Sequence, residues 1–126
     1  MTPEGLFFFR AHPEALPIYM KLEERILARI PDVKIRVSKT QIGFSNKRLF
    51  AAVSFNPCRR AADRPTTWMT VTFGLGERKE HPRIDAAAQP YPNRWTHHVT
   101  VGSCEEIDEE LLAFIGEAAA FSAAKR

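Results

Sequence analysis

Cysteine is scarce in this chain, and long apolar runs are missing. Cys58 and Cys104 stand 46 positions apart, without a CxxC spacing or an accompanying Cys/His pair. That excludes a zinc finger and a disulfide-dense secreted scaffold, and two free thiols in a reducing cytoplasm are expected. No apolar stretch approaches the roughly 18 residues of a membrane span. The run Gly5-Leu6-Phe7-Phe8-Phe9 is too short, and lacks the basic start, for a secretory signal. Gly74-Leu75-Gly76 has neither the third glycine nor the following helix of a dinucleotide loop and reads as a strand end. Asp63, Asp85 and Asp108 show no paired spacing for acid/base work. Neither a metal centre nor a cofactor is expected.

What is present suits one α+β domain over residues 1–126. At this length about two-thirds of the unfolded chain's surface can be buried, enough for a core without covalent staples. Charge is unevenly spread. Up to Ile30 four basic and four acidic residues cancel; from Pro31 to Ser103 twelve basic residues face five acidic ones; from Cys104 onward two basic residues face six acidic ones. The surplus is densest between Val33 and Arg64, where Lys34, Arg36, Lys39, Lys47, Arg48, Arg59, Arg60 and Arg64 face only Asp63. An anionic partner is one reading of that surplus. The other is that the acidic C-terminal segment lies near the basic one and offsets it.

Pro3 and Glu4 after Thr2 predict a first helix to about Arg10. Ala15, Tyr19, Leu22, Ile26 and Ile30 form a helical stripe that begins near Pro13 and stops at Pro31-Asp32. The period then changes to two. Strands are expected over 33–37, 41–45, 49–55, 67–75 and 95–101, with Ser45-Asn46-Lys47-Arg48 as a hairpin turn and at most a short strand around Arg83 to Ala86. Ser103-Cys104-Glu105-Glu106 reads as a capping box for a closing helix that buries Ile107, Leu111, Phe114, Ala118 and Phe121, with Lys125-Arg126 at its C-terminal end. The expected architecture is N-terminal helices, an antiparallel meander of about five strands, and a C-terminal helix.

The stretches Lys39-Thr40-Gln41-Ile42-Gly43-Phe44-Ser45, Val71-Thr72-Phe73-Gly74-Leu75-Gly76, Pro90-Tyr91-Pro92-Asn93-Arg94-Trp95-Thr96-His97-His98-Val99 and Ile107-Asp108-Glu109-Glu110-Leu111 together resemble a family of small bacterial proteins described as a domain of unknown function, family "five-six-five-five". The resemblance implies a compact bacterial domain. It brings no activity, cofactor or catalytic residue.

The chemistry-bearing residues concentrate in the last strand. His97 and His98 are adjacent, so on a strand they point to opposite faces and do not share a small site. His97 has the parity of Val99 and Val101 and is expected to lean into the core; His98 falls on the threonine face, where it titrates freely or meets an anion. Cys58, beside Arg59 and Arg60, has no sequence-near histidine to act as its base.

If the odd-numbered residues of the strands point inward, then Lys34, Arg36, Gln41, Phe50, Ala52, Ser54, Trp68, Thr70, Thr72, Thr96, His98 and Thr100 share the opposite face. Aromatics among cations and hydroxyls are the chemistry of a nucleobase-stacking platform, of a homodimer face, or of a sheet side covered by the Phe7–Phe9 helix. A further use is a small anionic ligand, held by the forked donors of arginine. The expected ligand-binding residues are Lys39, Arg48, Trp68, Arg94, Trp95, His97 and His98. The favoured reading is a cytoplasmic binding module for an anionic ligand or nucleic acid. The alternatives are a small enzyme that uses His97 or His98 with Arg94, and a structural homodimer closed across Phe50 and Trp68.

Overall fold

The computed structural model describes residues 2–125. The Thr2 hydroxyl accepts the Gly5 N–H at 3.2 Å and starts α1 (Pro3–Phe8), with Pro3 at a position whose N–H needs no helical partner. The helix stops two residues short of Arg10. Pro13–Ala15 forms a 3-10 turn that leads into α2 (Leu16–Arg29), which buries Ile18, Tyr19, Leu22 and Ile26 along one stripe. Pro17 sits in its first turn, where no carbonyl loses a donor.

Six strands follow: β1 (Lys34–Val37), β2 (Gln41–Ser45), β3 (Leu49–Ser54), β4 (Met69–Leu75), β5 (Ala86–Tyr91) and β6 (Arg94–Val101). They form one antiparallel sheet in the order β1-β2-β3-β4-β6-β5. The closing helix, α3 (Glu109–Ala124), crosses β3 and β4 and meets α2. The fold is α+β, with N-terminal helices, an antiparallel sheet and a C-terminal helix.

The sixth strand has a physical cause. β5 lies at the sheet edge and reads Ala-Ala-Ala-Gln-Pro-Tyr, without alternation because most of it is exposed; Pro90 is tolerated there because an edge residue need not donate to a ladder. Pro92-Asn93 joins it to β6, with Asn93 at φ 63°, the pattern of a type II turn.

The sheet has a helix face and an opposite, largely helix-free face. The helix face holds Ile42, Phe44, Val53, Met69, Val71, Phe73, Val99 and Val101, all buried against Phe9, Tyr19, Leu22, Leu111, Phe114 and Ile115. Parity breaks at one point. Phe44 pairs with Ala51 but Ser45 pairs with Leu49, so Phe50 is an extra residue, a β-bulge. The bulge carries Phe50 into the core, where it is fully buried, and leaves Leu49 exposed on the other face. The expectation of an outward Phe50 and an inward Leu49 is therefore reversed.

The closing helix also starts later than its sequence signature. Ser103 precedes only a 3-10 turn (Cys104–Glu106) and its hydroxyl makes no cap bond. Asp108 caps α3 by accepting the Leu111 N–H at 3.0 Å, while Glu106 turns back to accept the Gly102 N–H at 2.8 Å. Lys125 lies just past the helix with its Nζ over the Phe121 ring; Arg126 lies outside the described residues. Both cysteines are free, and among the described residues no helix is long and apolar enough to cross a membrane.

Candidate anion site on the open sheet face

Strand register places the outward residues in transverse rows. Gln41, Ser54, Thr70 and Thr100 form a ladder of polar groups at one end. The loop after β3 covers it: Thr70 donates to the Asn56 carbonyl at 2.7 Å, and Cys58 Sγ lies 3.3 Å from Thr100 Oγ1. Asp85 closes that end, accepting from Arg59 Nε at 2.8 Å and from the Thr100 N–H at 2.7 Å. This carboxylate is satisfied by the protein itself.

The next row runs across all six strands as Arg36, Gly43, Ala52, Thr72, His98 and Ala86. Its middle is covered: Gly43 and Ala52 are buried, and Leu49 Cδ1 lies over Gly43, 2.8 Å from where a Cβ would stand. Thr72 Oγ1 and His98 Nδ1 are 2.8 Å apart. Burial lowers the His98 pKa, so the ring is neutral at pH 7, where it pairs with the threonine hydroxyl as donor or acceptor.

One row further along lie Gly74 and Thr96. Arg94, at the start of β6, folds back across this row, and its guanidinium occupies the place a Gly74 side chain would take. Only a glycine permits that approach. The Arg94 side chain is half-buried, yet among the described residues no carboxylate or other hydrogen-bond acceptor reaches it, nor Lys34 or Arg36. Two residues along a strand span about 7 Å, so the Arg94 fork and the Thr72–His98 pair lie within reach of one small molecule. A planar guanidinium with unsatisfied donors fits a phosphate or carboxylate.

A family model described as a domain of unknown function, DUF5655, matches residues 7–122. The chain belongs to the DUF5655 family. No curated protein and no solved structure matches it significantly.

Within this DUF5655 domain the seven expected ligand residues separate. Arg94 and His98 share the open face, joined by Thr72. Arg48 is exposed in the turn before β3, at the same end of the sheet, and its backbone N–H donates to Ser122 Oγ at 3.0 Å. Lys39 is exposed in the β1–β2 turn, at the opposite end of the strands. Trp68 leaves the sheet face, because the chain just before β4 turns its ring against Phe55 and His12, with the Arg64 guanidinium 4.9 Å from its centroid. Trp95 pairs with Leu75 and stands below Arg78.

His97 is fully buried on the helix face, stacked 4.9 Å from Phe73, and its Nε2 accepts the Lys79 N–H at 2.9 Å. Burial lowers its pKa, with the Phe73 backbone opposing and neighbouring cations assisting; Nδ1 has no partner of hydrogen-bonding geometry. The stacking platform thus loses both its aromatics, Phe50 to the core and Trp68 to the α1 side. The same burial takes the Phe50 ring out of the dimer face expected across Phe50 and Trp68. The sequence signal for Gly74 is its place inside a strand, where a glycine marks a close approach.

Proposed function

We propose that this DUF5655 protein is a binding module for a small ligand that bears a phosphate or carboxylate, taken up on the open sheet face. One observation carries the reading: the half-buried Arg94 guanidinium, laid flat over Gly74, has no acceptor among the described residues. Burying an unpaired charge is unfavourable, and an arriving anion relieves that. The Thr72–His98 pair supplies a neutral hydrogen-bonding contact about 7 Å away. Nucleobase stacking is disfavoured by the loss of Phe50 and Trp68 from the face.

Calorimetric titration with inorganic pyrophosphate, a nucleoside monophosphate and a single-stranded oligonucleotide tests the reading. Pyrophosphate or the monophosphate should bind, with Arg94→Ala weakening the affinity about tenfold or more. Arg94→Lys should not restore it, because an ammonium lacks the planar fork. Equal affinity in wild type, Arg94→Ala and Arg36→Glu rejects the assignment. Binding of the oligonucleotide alone, with a steep salt dependence, replaces the small ligand by nucleic acid.

A further inference from the structure

A second recess lies on the other side of the molecule's β1 edge. A cleft of about 760 Å³ opens between α1, α2 and β1; Glu4, Tyr19 and Glu23 line its helix side, and Ile35, Arg36 and Val37 its strand side. Among the described residues β1 pairs only with β2. The phase of that ladder fixes which backbone groups are spare. The Ser38 N–H donates to the Gln41 carbonyl at 2.9 Å, which makes that pair hydrogen-bonded. Alternation along an antiparallel ladder then turns the N–H and C=O of Arg36 toward β2 and those of Ile35 and Val37 outward. The cleft therefore has unpaired donors and acceptors along one wall, two residues apart, the repeat of an extended chain.

The opposite wall is acidic. Glu4 and Glu23 have no cationic partner among the described residues. Burial, together with the neighbouring Glu23 carboxylate, pushes the Tyr19 phenol pKa up, so it stays protonated beside that carboxylate. Arg36 also lines the cleft, but strand alternation directs its side chain away from Ile35 and Val37, and it makes no ion pair with Glu4 or Glu23 among the described residues. The cleft thus combines the two requirements for strand addition with a charge preference: a free ladder edge, and carboxylates beside it that complement a basic side chain.

We propose that this cleft receives an extended segment of a partner protein, which adds to β1 as a seventh strand and places a lysine or arginine side chain against Glu4 and Glu23. The main-chain bonds give affinity for any extended peptide, and the carboxylates select a basic one. β1 has four residues, so a short segment covers it.

The test uses fluorescently labelled Thr-Val-Lys-Val-Thr, blocked at both ends, with Thr-Val-Glu-Val-Thr and a backbone N-methylated lysine peptide as controls, read by anisotropy on the full chain. The lysine peptide should bind, and the other two should bind at least about tenfold more weakly. Glu4→Gln with Glu23→Gln should weaken the lysine peptide about tenfold or more while leaving the Arg94 pyrophosphate titration unchanged. Val37→Pro removes one outward N–H and leaves the β1–β2 ladder intact, since edge strands accept proline on their free side. It too should weaken the lysine peptide, with an unchanged circular dichroism spectrum. Absence of binding up to about 1 mM, equal binding of the glutamate peptide, or indifference to both the Glu4/Glu23 change and N-methylation overturns the proposal. Sensitivity to the carboxylates with indifference to both Val37→Pro and N-methylation overturns strand addition.

Discussion

Arg94 lies on Gly74 so closely that its guanidinium carbon takes the space of a side chain on β4. The contact couples two choices far apart in sequence: a glycine inside a strand, which otherwise weakens it, and an arginine at a strand start with no acceptor of its own. The first expected outcome separates stability from binding at this contact. In Gly74→Ala the new methyl meets only the far end of a flexible side chain, which can swing away. Stability should change by less than about 1 kcal/mol, since alanine also removes the entropic cost of glycine. Pyrophosphate affinity should nevertheless fall as far as in Arg94→Ala. Urea melts and the same titration read the two effects; a large destabilisation, or retained affinity, contradicts the role given to this glycine.

The bulge in β3 makes opposite forecasts for two neighbouring residues. Phe50→Ala empties a fully buried site and should cost about 3–5 kcal/mol. Leu49→Ala removes a half-exposed side chain that packs on Gly43 and should cost about 1 kcal/mol or less. Urea unfolding of the two variants checks this, and a larger loss in Leu49→Ala would restore simple alternation through the strand.

The start of α3 offers a similar contrast. Asp108 accepts the Leu111 N–H and also pairs with Arg83 Nη1 at 2.6 Å. Its hydrogen bonds, outweighing its own desolvation, hold its carboxyl below the usual range. Asp108→Ala should cost about 1–2 kcal/mol, near the upper range for a lost cap. Ser103→Ala, at the residue whose motif looks like a cap, should cost less than about 0.5 kcal/mol. Thermal melts at neutral pH discriminate between them.

These cases mark where sequence reading succeeds and where it stops. The α2 stripe, the β4 alternation and the inward lean of His97 follow from periodicity, because each is a one-sided burial problem with a single solution. Phe50 escapes that logic, since one extra residue inverts parity and leaves no local trace. β5 escapes because an exposed edge imposes no pattern. Ser103 and Asp108 both precede suitable residues, and only packing decides which one begins the helix. At the site, Arg94 and His98 are visible as residue types. Their link through Thr72 and Gly74 exists only in strand register, which a single sequence does not carry.

The buried imidazole of His97 sets a pH dependence whose sign is fixed. Its pKa in the folded chain lies below the ordinary 6.5, chiefly through burial, and that of His98 is lowered for the same reason. In the interval between the folded pKa and 6.5 the unfolded chain binds more protons, so stability rises with pH across it. The contribution is complete above 6.5 and is lost as pH falls toward the folded value. Protonation of His97 would also end its acceptance of the Lys79 N–H, which anchors the segment tied to α3 by Lys79–Glu117, His81–Glu110 and Arg83–Asp108. Asp108 belongs to a separate window, because its lowered pKa contributes stability that fades only below its ordinary value of 3.8. Urea unfolding from about pH 8 to pH 5 should therefore show a declining midpoint below 6.5. His97→Gln retains an acceptor and does not titrate, so it should flatten that decline, with His98→Gln removing a further part. A His97→Gln profile parallel to wild type would mean that the ring is not held neutral by the core.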